Sequence, residues 1–271
     1  MKKRCIILAI VVLVLSLVGN GFFQNRALFQ AIQNSDLDAA TKALNKGAFV
    51  DMPRYFLYAP NIIPTNPTPL ITACKVGNSD MIGLLLEHGA NVNLADKHCN
   101  ETPLLAALSG DKANRFVLAL YLIEQGAEVH AIQEADSVLY RSLLVFDTDN
   151  DQTIEDGFRL FQLLIEQNVD LSLPATKENV LTFAVHYQNY NAVKYLLENA
   201  FFSVDDTDDN GDTALIVAAK HDQTEIACLL LELGSDPTLM DRSGRTAMDY
   251  ALESNNNDLI EALCSSSSNI V

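Results

Sequence analysis

The chain has 271 residues, and its 35 Asp and Glu against 18 Lys and Arg give a formal net charge of −17. That sign excludes nucleic acid as a partner, because binding a phosphate backbone needs a surplus of bases. No Gly-x-Ser-x-Gly elbow, phosphate loop or His-Glu-x-x-His occurs, so the sequence offers no nucleophile beside a base and points away from catalysis.

Met1-Lys2-Lys3-Arg4 is a basic start, and Ile6 to Val18 is apolar throughout except for Ser16. Thirteen residues suit a signal peptide better than a membrane span of about twenty, and Gly19 and Gly21 are small enough for a cleavage site. Residues 1–21 therefore read as a bacterial export signal, with a periplasmic or secreted mature chain. The alternative is an uncleaved inner-membrane anchor facing the periplasm. Cys5 lies too early for a lipid-modified cysteine. Cleavage removes three bases and takes the charge from −17 to −20. Cys74, Cys99, Cys228 and Cys264 remain, an even number for an oxidising compartment. Cys74 and Cys228 read as buried thiols, while Cys228 and Cys264 fall in successive units and leave a bridge open.

From about residue 25 a phrase recurs: Ala43-Leu44-Asn45-Lys46-Gly47-Ala48, Leu85-Leu86-Glu87-His88-Gly89-Ala90, Leu122-Ile123-Glu124-Gln125-Gly126-Ala127, Leu164-Ile165-Glu166-Gln167-Asn168-Val169, Leu196-Leu197-Glu198-Asn199-Ala200, and Leu230-Leu231-Glu232-Leu233-Gly234-Ser235. Upstream partners are Thr68-Pro69-Leu70, Thr102-Pro103-Leu104, Thr213-Ala214-Leu215 and Thr246-Ala247-Met248. Such recurrence predicts a stack of like units. Each Thr caps a short first helix, with Pro tolerated in its first turn. Small residues such as Ala73, Ala107, Ala184, Ala218 and Ala251 let neighbouring helices approach. A polar turn and a second helix follow, and Gly89, Gly126 or Gly234 ends that helix in the left-handed conformation.

Thr68-Pro69-Leu70-Ile71-Thr72-Ala73-Cys74, the exit Gly89-Ala90-Asn91-Val92-Asn93 and the turns Asp208-Asp209-Asn210-Gly211-Asp212-Thr213 and Asp241-Arg242-Ser243-Gly244-Arg245-Thr246 resemble the ankyrin-repeat family across roughly residues 25–264. The resemblance implies an all-α solenoid of stacked helix-turn-helix units with short β-hairpin fingers, about seven repeats including caps. The repeat domain is set at 22–264 and a flexible tail at 265–271. Insertions fall near 52–66 and 146–157, with a smaller excess near Asp111-Lys112-Ala113; insertions in such arrays map to loops. Arg26 and Asn179 stand where Thr is expected, so their units read as less regular.

The resemblance also implies a binding role for the ends of the first helices and for the fingers. Equivalent helix ends hold Lys75-Val76, His186-Tyr187 and Lys220-His221, and fingers hold Lys97, His98 and Arg242; stacking would align them in one row. Tyr55, Phe56 and Tyr58, in the first insertion, either seal the first unit or form an exposed aromatic anchor. Phe201-Phe202 poses the same choice. Asp205, Asp206 and Asp209, with Asp147 to Asp156, read either as solvated loops or as an attractive surface for a basic partner. Asp206-x-Asp208-x-Asn210-Gly211 resembles the start of a calcium loop, but position twelve is Val217 rather than Glu. His88, His98 and Cys99 lack zinc-ligand spacing, so no cofactor or metal is expected.

These residues point to a non-catalytic protein-binding chain, a monomer until bound. Exported bacterial ankyrin proteins of this size resemble immunity proteins that neutralise secreted antibacterial effectors, here one with a basic patch. The alternatives are a periplasmic scaffold or stabilising factor for an oxidative-defence enzyme, and a secreted effector acting on host proteins.

Overall fold

A computed structural model describes residues 20–21, 23–53, 67–109, 113–130, 132–133, 136–144, 151–171, 173 and 176–267. The chain divides into two compact units, residues 1–138 and 139–271. The first unit holds α1 (23–33), α2 (Leu37–Asn45), α3 (Pro69–Val76), α4 (Ser79–Glu87), α5 (Pro103–Ala107) and α6 (Arg115–Glu124). After α6 comes the antiparallel ribbon of β1 (Ile132–Gln133) and β2 (Asp136–Ser137). Helix α7 (Val138–Leu143) begins at the boundary. The second unit continues with α8 (Asp151–Glu166), α9 (Val180–His186), α10 (Tyr190–Glu198), α11 (Ala214–Lys220), α12 (Thr224–Glu232), α13 (Ala247–Ser254) and α14 (Asn257–Ser267).

Taken in chain order these make seven helix pairs, the expected number. First helices pack on first helices: α3 on α5 in the first unit, and α9 and α13 on either side of α11 in the second. Most helices run only five to eleven residues, too short to stand alone in water, so lateral burial supplies their stability. Ala73, Ala184 and Ala251 are fully buried where first helices meet, and Leu85, Leu196 and Leu230 of the recurring phrase are 0% exposed.

The caps follow from the sequence. Thr68, Thr102 and Thr213 accept through Oγ1 from the backbone N–H three residues on, at 3.2, 3.2 and 3.3 Å. Thr246 and Asp249 form a reciprocal capping box. Asn179 does the same work with its side-chain oxygen, 2.9 Å from Thr182 N, so its unit is regular despite the missing Thr. Arg26 is different: residues 20–21 and 23–33 are helical, so Arg26 lies inside α1 rather than at a cap. Gly89 and Gly234 take φ +83 and +90 just past α4 and α12, the left-handed turn that lets the chain leave each second helix.

Polar side chains tie one repeat to the next. The amides opening the second helices reach back to carbonyls at the ends of preceding first helices: Asn114 Nδ2 to Gly77 O at 2.8 Å, Asn189 Nδ2 to Leu143 O at 3.5 Å and Gln223 Nε2 to His186 O at 3.3 Å. These bonds satisfy carbonyls that a helix end leaves open. A second ladder joins the exit loops. Asp51 accepts from Asn91 N at 3.0 Å, Asn93 exchanges bonds with Gly126 O and Glu128 N, and Asp205 accepts from Ser235 Oγ and Asp236 N.

Three expected boundaries change. Residues 151–156, taken as inserted loop, form the first turns of α8, whose sixteen residues carry the insertion as a longer helix. Residues 265–267, assigned to a flexible tail, complete α14. Asn20 Nδ2 donates to Lys46 O at 3.0 Å, and Gly21 is buried where any side chain would strike the Phe49 ring. Both belong to the first repeat, so the folded array begins by residue 20 and not at 22. The remainder of the proposed signal, 1–19, lies outside the described residues. Among the described residues no helix is long and apolar enough to cross a membrane.

Leu196→Ala and Leu230→Ala should each lower stability by about 2–5 kcal/mol through the cavity they leave. Leu252→Ala, at a side chain 55% exposed, should change it by less than about 0.5 kcal/mol. Ala200 ends α10 at φ +55, a conformation costing a side-chain-bearing residue roughly 1–2 kcal/mol. Ala200→Gly should therefore raise the midpoint of a denaturant melt, and a lowered midpoint would show that the strain is absent.

Candidate protein-interaction surface

In each unit, the expected recognition residues sit at the ends of the first helices and on the fingers. In the first unit Lys75 closes α3 and meets Glu101 at 2.6 Å, an acid just before the Thr102 cap. Val76 beside it is 39% exposed. Lys97 and His98 are exposed on the next finger, whose turn is held by buried Asp96 accepting from His98 N at 2.8 Å. The backbone at His98 is thus fixed while its ring faces solvent.

The second unit repeats this logic with more partners. Glu178 and Asp212 immediately precede caps, and each binds the base eight residues later at the far end of the same helix. Glu178 Oε1 is 2.7 Å from His186 Nδ1, and both oxygens of Asp212 accept from Lys220 Nζ at 2.7 Å. Arg245 and Glu253 repeat the spacing with signs reversed. Lys220 also lies 3.6 Å from Asp241 of the next finger and 4.9 Å from the Tyr250 ring centre. Burial alone would lower its pKa, but the bond and charge of Asp212 prevail and hold it above the ordinary lysine value.

Rings run along the same helix ends. Tyr140 lies 4.9 Å from Phe183, Phe183 4.6 Å from Tyr187, Tyr187 4.9 Å from His186, and His186 4.4 Å from His221, with the last two pairs stacked. The two imidazoles belong to neighbouring repeats. Burial, and next the proximity of His186, hold the His221 pKa below the usual imidazole value, so His221 is neutral near pH 7 and presents a ring face. Beyond them Arg245 covers Tyr250 at 3.9 Å, and Tyr250 Oη donates to Asp241 Oδ2 at 2.6 Å.

The fingers of this unit stack too. Asp209 N donates to Lys177 O at 2.9 Å, and Arg242 lies against Gly211, leaving no room there for a side chain. Asp208 and Asp241 each fold a finger by accepting from backbone N–H groups two and four residues on. Sequence reasoning placed Asp205, Asp206 and Asp209 together as a surface for a basic partner; in the structure Asp206 and Asp209 are exposed and Asp205 half-buried, and their bonds differ. Asp205 is a rung between exit loops, Asp206 holds its own turn through Ser203 N at 2.7 Å, and Asp209 is exposed. Phe201 is 43% exposed and stacks on Tyr195 at 6.2 Å. Tyr55, Phe56 and Tyr58 lie outside the described residues.

Sequence reasoning missed Glu101, Glu178, Tyr140, Phe183 and Tyr250. A signal was present for Glu178, an acid directly before the cap with a base eight positions later; Glu101 has Ser109 at that spacing and pairs instead with Lys75 of the preceding repeat. Among the described residues no group of three His, Cys, Asp or Glu is placed to hold a metal, and Cys74, Cys99, Cys228 and Cys264 form no disulfide; Cys74 is buried, whereas Cys228, expected to be buried, is half-exposed on α12.

Residues 28–133 and 152–241, well over half the chain, match the family described as Ankyrin repeats (3 copies). The chain belongs to the ankyrin-repeat family. Similar curated proteins include a nuclear factor NF-kappa-B subunit of Gallus gallus, 31% identical over 63% of this chain, of whose length the chain spans only 16%. The ankyrin repeat protein YahD of Escherichia coli (strain K12) is 25% identical over 69% of this chain and 90% of its own length. Among solved structures, the human ASB11 ankyrin repeat domain matches with a TM-score of 0.65 at 24% identity, covering 88% of this chain and 96% of that one. The ankyrin repeat protein EF0377 matches at 0.56 and 25% identity, covering 72% and 96%. Ankyrin repeats are a protein-interaction module, and the all-helical repeat fold is common to these structures.

Burial alone would raise the Asp241 carboxyl, but bonds from Ser243 Oγ, Tyr250 Oη and the Arg245 and Ser243 N–H groups outweigh it and hold its pKa far below the carboxylate range. An unfolded Asp titrates near about 3.9. The stabilisation from Asp241 is therefore complete above about pH 4 and is lost as pH falls through the depressed folded value. Asp241→Asn should reduce stability at pH 7 and flatten the decline below about pH 4, read from urea melts at pH 7 and pH 3. An unchanged decline would assign acid sensitivity to other carboxyls.

Proposed function

We propose that this is an exported bacterial ankyrin protein that binds and neutralises a secreted antibacterial effector, with a basic patch of that effector meeting its acidic surface. The observation that carries the reading is the row at the helix ends of the second unit. Tyr187, His186 and His221 form a stack across two neighbouring repeats, with Lys220 next to His221 at the end of α11. Packed rings at an accessible site make strong anchors, because they bury large area at low entropic cost. A chain with 35 acids to 18 bases, three of those bases in the leader, speeds encounter with a basic protein and repels other copies of itself. The basic and apolar start Met1 to Val18 supports export, with processing near Gly21 on the leader side of Asn20, which spares the contacts of Asn20 and Gly21 with the first repeat. A likeness to a bacterial protein, over 69% of this chain and 90% of that protein, supports a bacterial setting.

The test pairs the protein with the product of the adjacent gene. Co-expression should relieve growth inhibition by that product, and surface plasmon resonance should give a complex. Replacing His186, Tyr187 and His221 together by Ala should raise the off-rate by about tenfold or more, the scale of a lost hot spot, with the fold intact by circular dichroism. Recovery of the protein uncleaved from the cytoplasm, or full protection by the triple variant with unaltered kinetics, would overturn the reading.

A further inference from the structure

The second helices of the first unit carry a feature that the helix-end row does not use. Between α2, α4 and α6 runs an open trough of about 640 Å³. Helix α4 forms its floor with Asp80, Gly83, Leu84 and Glu87, which recur at i, i+3, i+4 and i+7 and so share one face. Leu37 of α2 and Val117 of α6 wall it in, and Val117 is 48% exposed.

Gly83 is the unexpected member. A glycine inside a helix costs about 1 kcal/mol relative to Ala, and nothing in the fold demands one here. A Cβ at this position would meet only Tyr121 Oη, at an ordinary 3.7 Å. The corresponding position, four before the Glu of the recurring phrase, holds Leu120, Gln162, Lys194 and Cys228 in other repeats. Its effect is to keep the trough open to the helix backbone. The rim is equally unspent. Among the described residues, Asp80, Glu87 and the Tyr121 hydroxyl have no hydrogen-bond or ion-pair partner, and no base lines the trough.

We propose that this trough is a second docking surface, for an amphipathic helix of a partner protein with an aliphatic stripe and two basic residues about two turns apart. The apolar stripe lies over Gly83 between Leu37 and Val117. The spacing follows from the rim: Asp80 and Glu87 are seven residues apart, about 10 Å along α4, so a parallel or antiparallel helix presents Lys or Arg to both carboxylates at i and i+7. Charge decides against a second copy as occupant, because a chain of net −17 brings acids to an acidic rim and repels itself. The surface lies on the second helices, whereas the row proposed above lies at the ends of the first, so either can fail without the other.

The probe is a fluorescein-labelled twelve-residue helical peptide with a leucine stripe and Lys at positions 3 and 10, titrated against the full-length protein by anisotropy. Gly83→Leu fills the trough while replacing a poor helix former with a good one. It should raise the melting temperature and weaken binding by at least about tenfold, as loss of a buried anchor does. Asp80→Asn with Glu87→Gln should weaken binding and flatten its salt dependence. The control Glu225→Gln with Asp258→Asn, which removes the same charge from the second unit, should leave affinity unchanged, and a peptide with Glu in place of both Lys should not bind. Unaltered binding by Gly83→Leu, or an equal loss in the control pair, would overturn the proposal by reducing the affinity to general acidity. Sedimentation that reveals self-association abolished by Gly83→Leu would overturn it in favour of a contact between copies.

Discussion

A helix of two or three turns in water has too few internal hydrogen bonds to repay the ordering of its backbone, and nearly every helix here is of that length. The structure therefore depends on lateral contact, each pair completed by the pair beside it. This constraint explains why alanine lines the faces where first helices meet, why leucine recurs in the second helices, and why bonds between repeats fall where helix ends would otherwise leave carbonyls bare. Asn114, Asn189 and Gln223 reach back across a repeat boundary, so each unit helps to cap its predecessor.

The same requirement divides the polar residues between support and recognition. Asp96, Asp208 and Asp241 fold the fingers, and Asp205 joins two exit loops. These acids are consumed within the array, although in the sequence they resemble the exposed acids of a binding patch. Lys75, His186 and Lys220 sit between the two roles. Each is held by a carboxylate, which fixes its position and leaves the outward side of the group for a partner. Preorganisation of this kind lowers the entropic cost of binding.

The family-defining pattern was legible because it is local. Thr before Pro-Leu, Leu-Leu-Glu before Gly, and Asp before Gly in a turn each encode a cap or turn that needs only a few neighbouring residues. Seven units followed from counting them. The same locality explains the failures. Residues 151–156 carry four acidic or amide side chains in six and read as loop, yet they enter a helix whose apolar face is recruited by burial of Thr153, Gly157 and Leu160. Asn179 looked like a defect because Thr was expected, although an amide oxygen caps a helix as well as a hydroxyl does.

By itself, then, the sequence determined the repeat, the helix pairs, the fold family and the acidity of the surface, because all of these rest on spacing within a few dozen residues and on composition. Only the tertiary structure decided which charges are spent. Lys75 and Glu101 are twenty-six residues apart, and the His186–His221 stack joins residues thirty-five apart. The trough over Gly83 depends on three helices drawn from residues 37 to 121. Such contacts arise from the offset between stacked units, a distance in space that the order of residues along the chain does not express.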